Sequence, residues 1–229
     1  MAHPIQAEHL RSSSRTPQEG TRLSGRRSGP TRFRLTVKLD SKVVAELAIP
    51  FRPSAYLRVM PNIHAGTPLG MGFGQTRFSA PDNSFKVLYI ARDIATAIAE
   101  TIIRDRFEGR AKRILDLTEV EDWAFSEIST SAPLTVLDLR ATGLLKLGVS
   151  TNAARAKSHA TGRRLSHALY HRFAIDGILY ASRLTSAECV AVYDRAVPAK
   201  LVATDAKTLV RNPHLIDALR SLNVTVRTS

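Results

Sequence analysis

Residues 86–107, Lys-Val-Leu-Tyr-Ile-Ala-Arg-Asp-Ile-Ala-Thr-Ala-Ile-Ala-Glu-Thr-Ile-Ile-Arg-Asp-Arg-Phe, constrain the fold of this chain more than any other stretch. Lys86 to Ala91 is a short apolar run of strand length, and Asp93 is placed to cap the helix that follows. Ala and Ile dominate that helix, and neither Gly nor Pro interrupts it before Phe107. Ile94, Ala97, Ile98, Thr101 and Ile102 recur at helical spacing, which predicts one buried stripe. Glu100 falls on a different face, with Thr96, Ile103 and Phe107 as its helical neighbours. A carboxylate in that company is costly to bury unless something binds it, so Glu100 is the first candidate site residue.

The flanking sequence predicts the remaining organisation. Residues 1–30 are rich in Ser, Arg, Thr, Gly and Pro, the composition of a disordered basic tail. They lack the apolar stretch of a secretory signal, and Glu8 and Glu19 argue against an organelle transit peptide. Phe33 to Ile49 carries two alternating apolar runs around Asp40-Ser41, which predict an accessory hairpin in 31–50. The main domain is assigned to 51–229. Within it, Ala55 to Met60 reads as a strand carrying Arg58, followed by a loop with Gly66, Gly70, Gly72 and Gly74. That loop lacks the helix start and the Lys-Ser/Thr pair of a phosphate cradle, so it reads as a mobile cover over a pocket. Further strands are expected at Arg113 to Leu117, Leu134 to Leu139, Gly177 to Ser182 and Glu188 to Tyr193. Glu119 to Glu127, around Trp123, reads as an exposed turn or short helix, and Ala153 to Phe173 as a helical region. Lys200 to Val226 reads as strand, polar helix and strand, and the whole as a single compact α+β domain.

Composition excludes several classes. One cysteine, Cys189, allows no internal disulfide and no cysteine-based zinc site, and its apolar strand setting points to packing. No apolar run reaches the length of a membrane span, and a cytoplasmic protein is the simple reading. The formal net charge of +13 is consistent with attraction to nucleic acid, a phosphorylated small molecule or an acidic partner, and equally with a soluble basic surface. No Gly-x-Ser-x-Gly elbow is present. His167 and His171 have metal-ligand spacing, but the sequence between them lacks a catalytic Glu and shows no third ligand; they read as surface histidines, and no metal is expected.

What remains is a scattered set: Arg58, Arg77 after the glycine loop, Tyr89, Glu100 and Ser182. Each alone has a structural explanation, as an ion pair, a half-buried ring or, for Glu100, a partner in Arg104 one turn on. Together they suit one chemistry. Two guanidiniums fork onto a pyrophosphate, an aromatic ring stacks on a cationic heterocycle, and a carboxylate binds ribose and stabilises an oxocarbenium-like cation. Those are the requirements for cleaving the nicotinamide–ribose bond of NAD, here a substrate and not a cofactor.

At these residues the sequence resembles the RES domain family, toxins of bacterial Xre–RES toxin–antitoxin pairs. The matching segments are Tyr56-Leu57-Arg58-Val59, Gly74 to Phe78, Val87 to Ala91 leading into Thr96 to Glu100, and Gly177 to Arg183, with the helix from Thr161 to His171 between. The resemblance implies an ADP-ribosyltransferase-like mixed split sheet with flanking helices around an NAD cleft. It implies that Arg58 and Arg77 hold the dinucleotide, Tyr89 packs on nicotinamide or its ribose, Glu100 is the catalytic carboxylate and Ser182 hydrogen-bonds substrate. It further implies hydrolysis or phosphorolysis of NAD, a helix-turn-helix antitoxin of the Xre type as partner, DNA contact only through that partner, and a possible homodimer. Alternatives are transfer of ADP-ribose to a protein or nucleic acid, or a non-catalytic basic binding module. Ser79 and Ala181 depart from the family pattern, where Asn and Pro are common, and both flank the proposed cleft.

Overall fold

A computed structural model describes residues 37–228. The strands in the first half are β1 (Ala48–Phe51), β2 (Tyr56–Pro61), β3 (Val87–Ala91), β4 (Arg113–Asp116), β5 (Trp123–Thr130) and β6 (Leu134–Asp138). The second half adds β7 (Gly177–Ala181), β8 (Glu188–Tyr193), β9 (Leu201–Ala203), β10 (Lys207–Thr208) and β11 (Val224–Arg227). Nine of them form one mixed sheet in the order β1-β6-β7-β8-β3-β2-β5-β10, with β9 also pairing β5. β6 and β7 run parallel, and the connection between them includes the helix Ala160–Arg172, as a parallel crossover demands. β4 and β11 pair in parallel as a separate ribbon.

The strands are read on both faces with a period of two. Leu88 and Ile90 of β3, Val190 and Val192 of β8 and Leu179 of β7 enter one apolar cluster. Cys189, Ala191 and Tyr193 of β8, Ile178 and Tyr180 of β7, and half-buried Tyr89 of β3 enter the other. The second cluster also takes the helix that begins at Ile94, whose Ile94, Ala97, Ile98, Ile102, Ile103 and Phe107 are buried. Asp93 caps this helix by accepting from the Thr96 amide at 2.7 Å. Its α turns Ile94–Ile98 and Arg104–Phe107 flank a π segment, Ala99–Ile103, which holds Glu100.

One pairing positions the site. β3 matches β8 over five residue pairs but meets β2 at Leu57↔Ala91 alone. Beyond that point β2 and β3 diverge and the sheet is split, the opening being spanned by the connection from Asn62 to Lys86. The mixed α+β fold with a split sheet is therefore the one expected.

Elsewhere the structure differs from the sequence reading. Phe33 to Thr36 lie outside the described residues, but the second arm of the expected hairpin is a helix, Ser41–Leu47. Asp40 caps it through the Lys42 amide at 2.8 Å, and Val44 and Leu47, three apart, are its buried residues. β1 then pairs with distant β6. The expected turn around Trp123 divides into a helix, Leu117–Glu121, and the start of the eight-residue β5. The helical region at 153–173 breaks between Asn152–Arg155 and Ala160–Arg172.

At the start of β7 the backbones crowd. A Cβ on Gly177 would collide with the Ala191 carbonyl oxygen, whereas one on Gly66 meets open space. Gly177→Ala should lower stability by about 1–3 kcal/mol in urea denaturation, with Gly66→Ala within about 0.5 kcal/mol of the parent. An unchanged midpoint for Gly177→Ala would contradict this packing.

Candidate active site

The cleft between the diverging β2 and β3 has a cavity volume of about 180 Å³ and is lined by Arg58, Thr76, Tyr89, Glu100, Arg104 and Tyr180, among others. That is smaller than the ~300–1,000 Å³ typical of a pocket enclosing a whole drug-sized ligand, so it suits one end of a longer molecule. A narrower recess continues from it past Arg77, His159 and Arg183, sharing Tyr89, Glu100 and Arg104 with the main cleft. Four of the five sequence-predicted residues, Arg58, Arg77, Tyr89 and Glu100, thus line one connected space.

Glu100 is positioned by the β7–β8 hairpin. Ser182 follows β7, and its hydroxyl donates to Glu100 Oε1 at 2.6 Å. The same hydroxyl oxygen accepts from the Leu184 and Thr185 amides at 3.1 and 3.2 Å, which polarises the hydroxyl toward the carboxylate. Thr185 makes a second tie to the helix, its hydroxyl 2.9 Å from that of Thr96, one turn before Glu100. Arg183 makes a third with Glu108 at 2.6 Å. Ser182 is buried and its one proton goes to Glu100, so in this structure it orients the carboxylate; the sequence resemblance had implied a direct contact with substrate. Arg104 pairs with Asp105 rather than with Glu100 as the helical spacing suggested.

Tyr89 holds the Arg77 loop. Its hydroxyl accepts from the Phe78 amide at 3.0 Å and from the Thr76 hydroxyl at 2.9 Å, and Thr76 lies 2.6 Å from the Ser79 hydroxyl. Ser79, at a position where the family pattern differs, is thus part of the loop's internal bonding. Burial raises the Tyr89 phenol above its ordinary pKa, so it stays protonated. Arg77 donates to the Ala156 carbonyl at 2.7 Å. Burial lowers its pKa, while Tyr180 and Glu100 pull the other way. The backbone and Cγ of Arg77 lie against Gly162, where a Cβ would come within 2.6 Å of the Arg77 carbonyl oxygen. Arg163, next along the helix, donates to the carbonyls of Ser79 and Ala80 at 3.3 and 2.8 Å.

Arg58 has a double position. It lines the cleft, yet it also donates to the Pro68 and Gly70 carbonyls at 2.5 and 2.7 Å and so pins the glycine-containing connection. Its burial lowers the guanidinium pKa to about 10. Cys189 lines the floor of the cleft, but burial, followed by the Glu100 charge, pushes its thiol up and leaves it a poor nucleophile. Sequence reasoning did not place Arg104, Arg183 or His159 in the site. Only the fold brings them to the recess, where His159 Nδ1 lies 2.9 Å from the Gln75 carbonyl oxygen.

Tyr89→Phe leaves the Phe78 amide and the Thr76 hydroxyl without their partner. It should cost about 1–3 kcal/mol in denaturant unfolding and speed proteolytic nicking between Gly74 and Ala80. A variant as stable and as protease-resistant as the parent would remove Tyr89 from this bracing role.

The comparisons with known proteins agree with this architecture. A family model described as "RES domain" matches residues 52–212. A protein from Sinorhizobium fredii (strain NBRC 101917 / NGR234), "Probable toxin y4kH", is 38% identical over 85 residues, which is 37% of this chain and 67% of that protein. A chain in the crystal structure of the M. tuberculosis MbcT–MbcA toxin–antitoxin complex superposes with a TM-score of 0.58 at 18% identity, over 80% of this chain and 100% of the other. That last likeness is one of fold.

Proposed function

This chain belongs to the RES domain family, and we propose that it is the toxin of a toxin–antitoxin pair, acting by cleavage of the nicotinamide–ribose bond of NAD. The observation that carries the reading is a single carboxylate, Glu100, oriented by Ser182 and set in a cleft with the guanidiniums of Arg77 and Arg58. The named relative and the toxin–antitoxin complex support the toxin role and an antitoxin partner. Among the described residues no helix is long and apolar enough to cross a membrane.

In this reading the nicotinamide–ribose end enters the cleft and the diphosphate lies toward the arginines. Glu100 accepts a hydrogen bond from a ribose hydroxyl and stabilises the positive charge that grows on the ribose as the bond to nicotinamide lengthens. The bonding pair leaves with the ring, so nicotinamide departs neutral without a proton. Water or phosphate then attacks the anomeric carbon, giving ADP-ribose with release of a proton, or ADP-ribose phosphate. Ser182 keeps Glu100 aimed throughout, and Tyr89 keeps the Arg77 loop closed over the cleft. The antitoxin silences the toxin, and a helix-turn-helix antitoxin of the Xre type would bring DNA to the pair.

Purified protein incubated with NAD, with and without phosphate and with labelled NAD plus cell extract, separates the products. Free nicotinamide with ADP-ribose or its phosphate is the expected result, whereas label appearing on an acceptor would shift the reading to transfer. Glu100→Gln keeps the shape of the side chain and should reduce the rate at least about a hundredfold with an unchanged circular dichroism spectrum. Intact NAD in every arm, or a fully active Glu100→Gln, would overturn the proposal.

A further inference from the structure

The spacing of His167 and His171 lacks a third ligand in sequence, and the fold supplies one. On the Ala160–Arg172 helix the two imidazoles face each other with ring centroids 4.4 Å apart. The turn at Pro81-Asp82-Asn83, where Asn83 adopts the left-handed conformation that asparagine tolerates, brings the Asp82 carboxylate to the same spot. Ligand atoms of Asp82, His167 and His171 all lie within 4.8 Å of one another. We propose that these three residues form a binding site for a zinc-class divalent cation, separate from the cleft and independent of the reaction there, which clamps the 81–85 loop to the helix.

The donor set selects the class of ion. Two imidazoles and one carboxylate suit zinc and its neighbours among the late first-row metals, whereas calcium and magnesium take all-oxygen shells. Donors around tetrahedral zinc are ~3.3 Å apart, given bonds of about 2.0–2.1 Å, so ligand atoms that already lie within 4.8 Å of one another close on an ion by shifts of about an ångström. Two of the groups already have oriented partners. The Ser84 amide and hydroxyl donate to Asp82 Oδ1 at 3.1 and 2.7 Å, which turns Oδ2 toward His167 at 3.1 Å. The Ser84 hydroxyl also lies 3.0 Å from His171 Nε2. The two bonds to Asp82 are the kind of outer shell that fixes a ligand's orientation, whereas the Ser84–His171 contact is given up if Nε2 takes the ion.

The loop is anchored before any ion arrives. Buried Phe85 stacks on Tyr170 at 4.2 Å between centroids and meets His171 edge-on. The Ala160–Arg172 helix is the same one that carries Gly162 against Arg77 and Arg163 against Ser79 and Ala80. A cation here therefore stiffens the far end of the segment that holds Arg77, on the outer side of the helix. Three protein ligands leave a fourth position for water.

Full-length protein freed of metal by chelator and titrated with zinc sulfate in a calorimeter tests the site directly. One equivalent should bind, and thermal unfolding should rise by on the order of 5 °C at zinc about a hundredfold above the dissociation constant. Cobalt(II) should give the intense visible absorption of a four-coordinate site. His167→Ala/His171→Ala should abolish the binding, the shift and the absorption. Asp82→Asn should weaken binding by about tenfold or more. His171 is exposed, so His171→Ala alone serves should the double variant misfold, and it too should lose the cobalt spectrum. Absence of stoichiometric zinc binding in the parent, or binding that survives in folded His167→Ala/His171→Ala (the signature of histidines elsewhere), would overturn the proposal.

Discussion

The 2.6 Å hydrogen bond from Ser182 to Glu100 is the contact on which the cleft depends. A half-buried carboxylate on a helix whose Thr96, Ile103 and Phe107 are buried needs a donor to remain in place. The nearest cation in sequence, Arg104, is engaged by Asp105. The donor comes instead from the turn after β7, and that turn is itself tied to the helix through Thr185 and Arg183. The helix and the β7–β8 hairpin therefore lock as one body, with Glu100 at the join. The π segment matters here because its wider turn alters which side chains share a face, and Glu100 sits inside it.

Around that body the sheet is arranged to leave room. Were β2 and β3 zipped along their whole length, the space over Tyr89 and beside Glu100 would be filled by main-chain pairing. Their contact at one residue pair opens it instead. The long connection that spans the opening has few strand or helix partners of its own, so its carbonyls are met by side chains: Arg58 at Pro68 and Gly70, and Arg163 at Ser79 and Ala80. Tyr89 completes the closure from below by holding both Thr76 and Phe78.

Much of this was legible in the sequence wherever a local pattern carried it. The Asp93 cap, the Ile and Ala periodicity and the apolar β3 are short-range signals and all formed, except that Thr101 of the expected stripe is half-exposed at the cleft and a π segment interrupts the helix. Glu100 stood out because its helical neighbours are apolar, a conflict visible without coordinates. The helix Ser41–Leu47 was missed because Val43-Val44-Ala45-Glu46-Leu47-Ala48-Ile49 satisfies strand alternation as well as helical spacing; the Asp40 cap was the signal that could have decided it. β5 was missed because its sheet position depends on strands distant in sequence, and Trp123 among acids looks solvent-facing. The role of Ser182 and the meeting of Asp82 with His167 are contacts across more than eighty residues, and no local pattern encodes them.

The high arginine content has a reading that bulk charge conceals. A net charge of +13 suggests a surface for polyanions. Yet Arg58, Arg77, Arg163, Arg172 and Arg195 all donate to main-chain carbonyls, Arg172 at Val37 and Leu39 and Arg195 at Tyr170, Phe173 and Ile175. A guanidinium suits this use because its planar fork reaches two or three acceptors at once and stays charged even where burial lowers its pKa, as at Arg58. An ammonium has neither the fork nor the same resistance to desolvation. These arginines are internal struts as much as surface charge: Arg58, Arg77 and Arg163 hold segments that frame the cleft, and Arg172 and Arg195 hold the chain at 37–39 and 170–175. The charges of Arg58 and Arg77 beside the cleft therefore sit where irregular backbone needs donors.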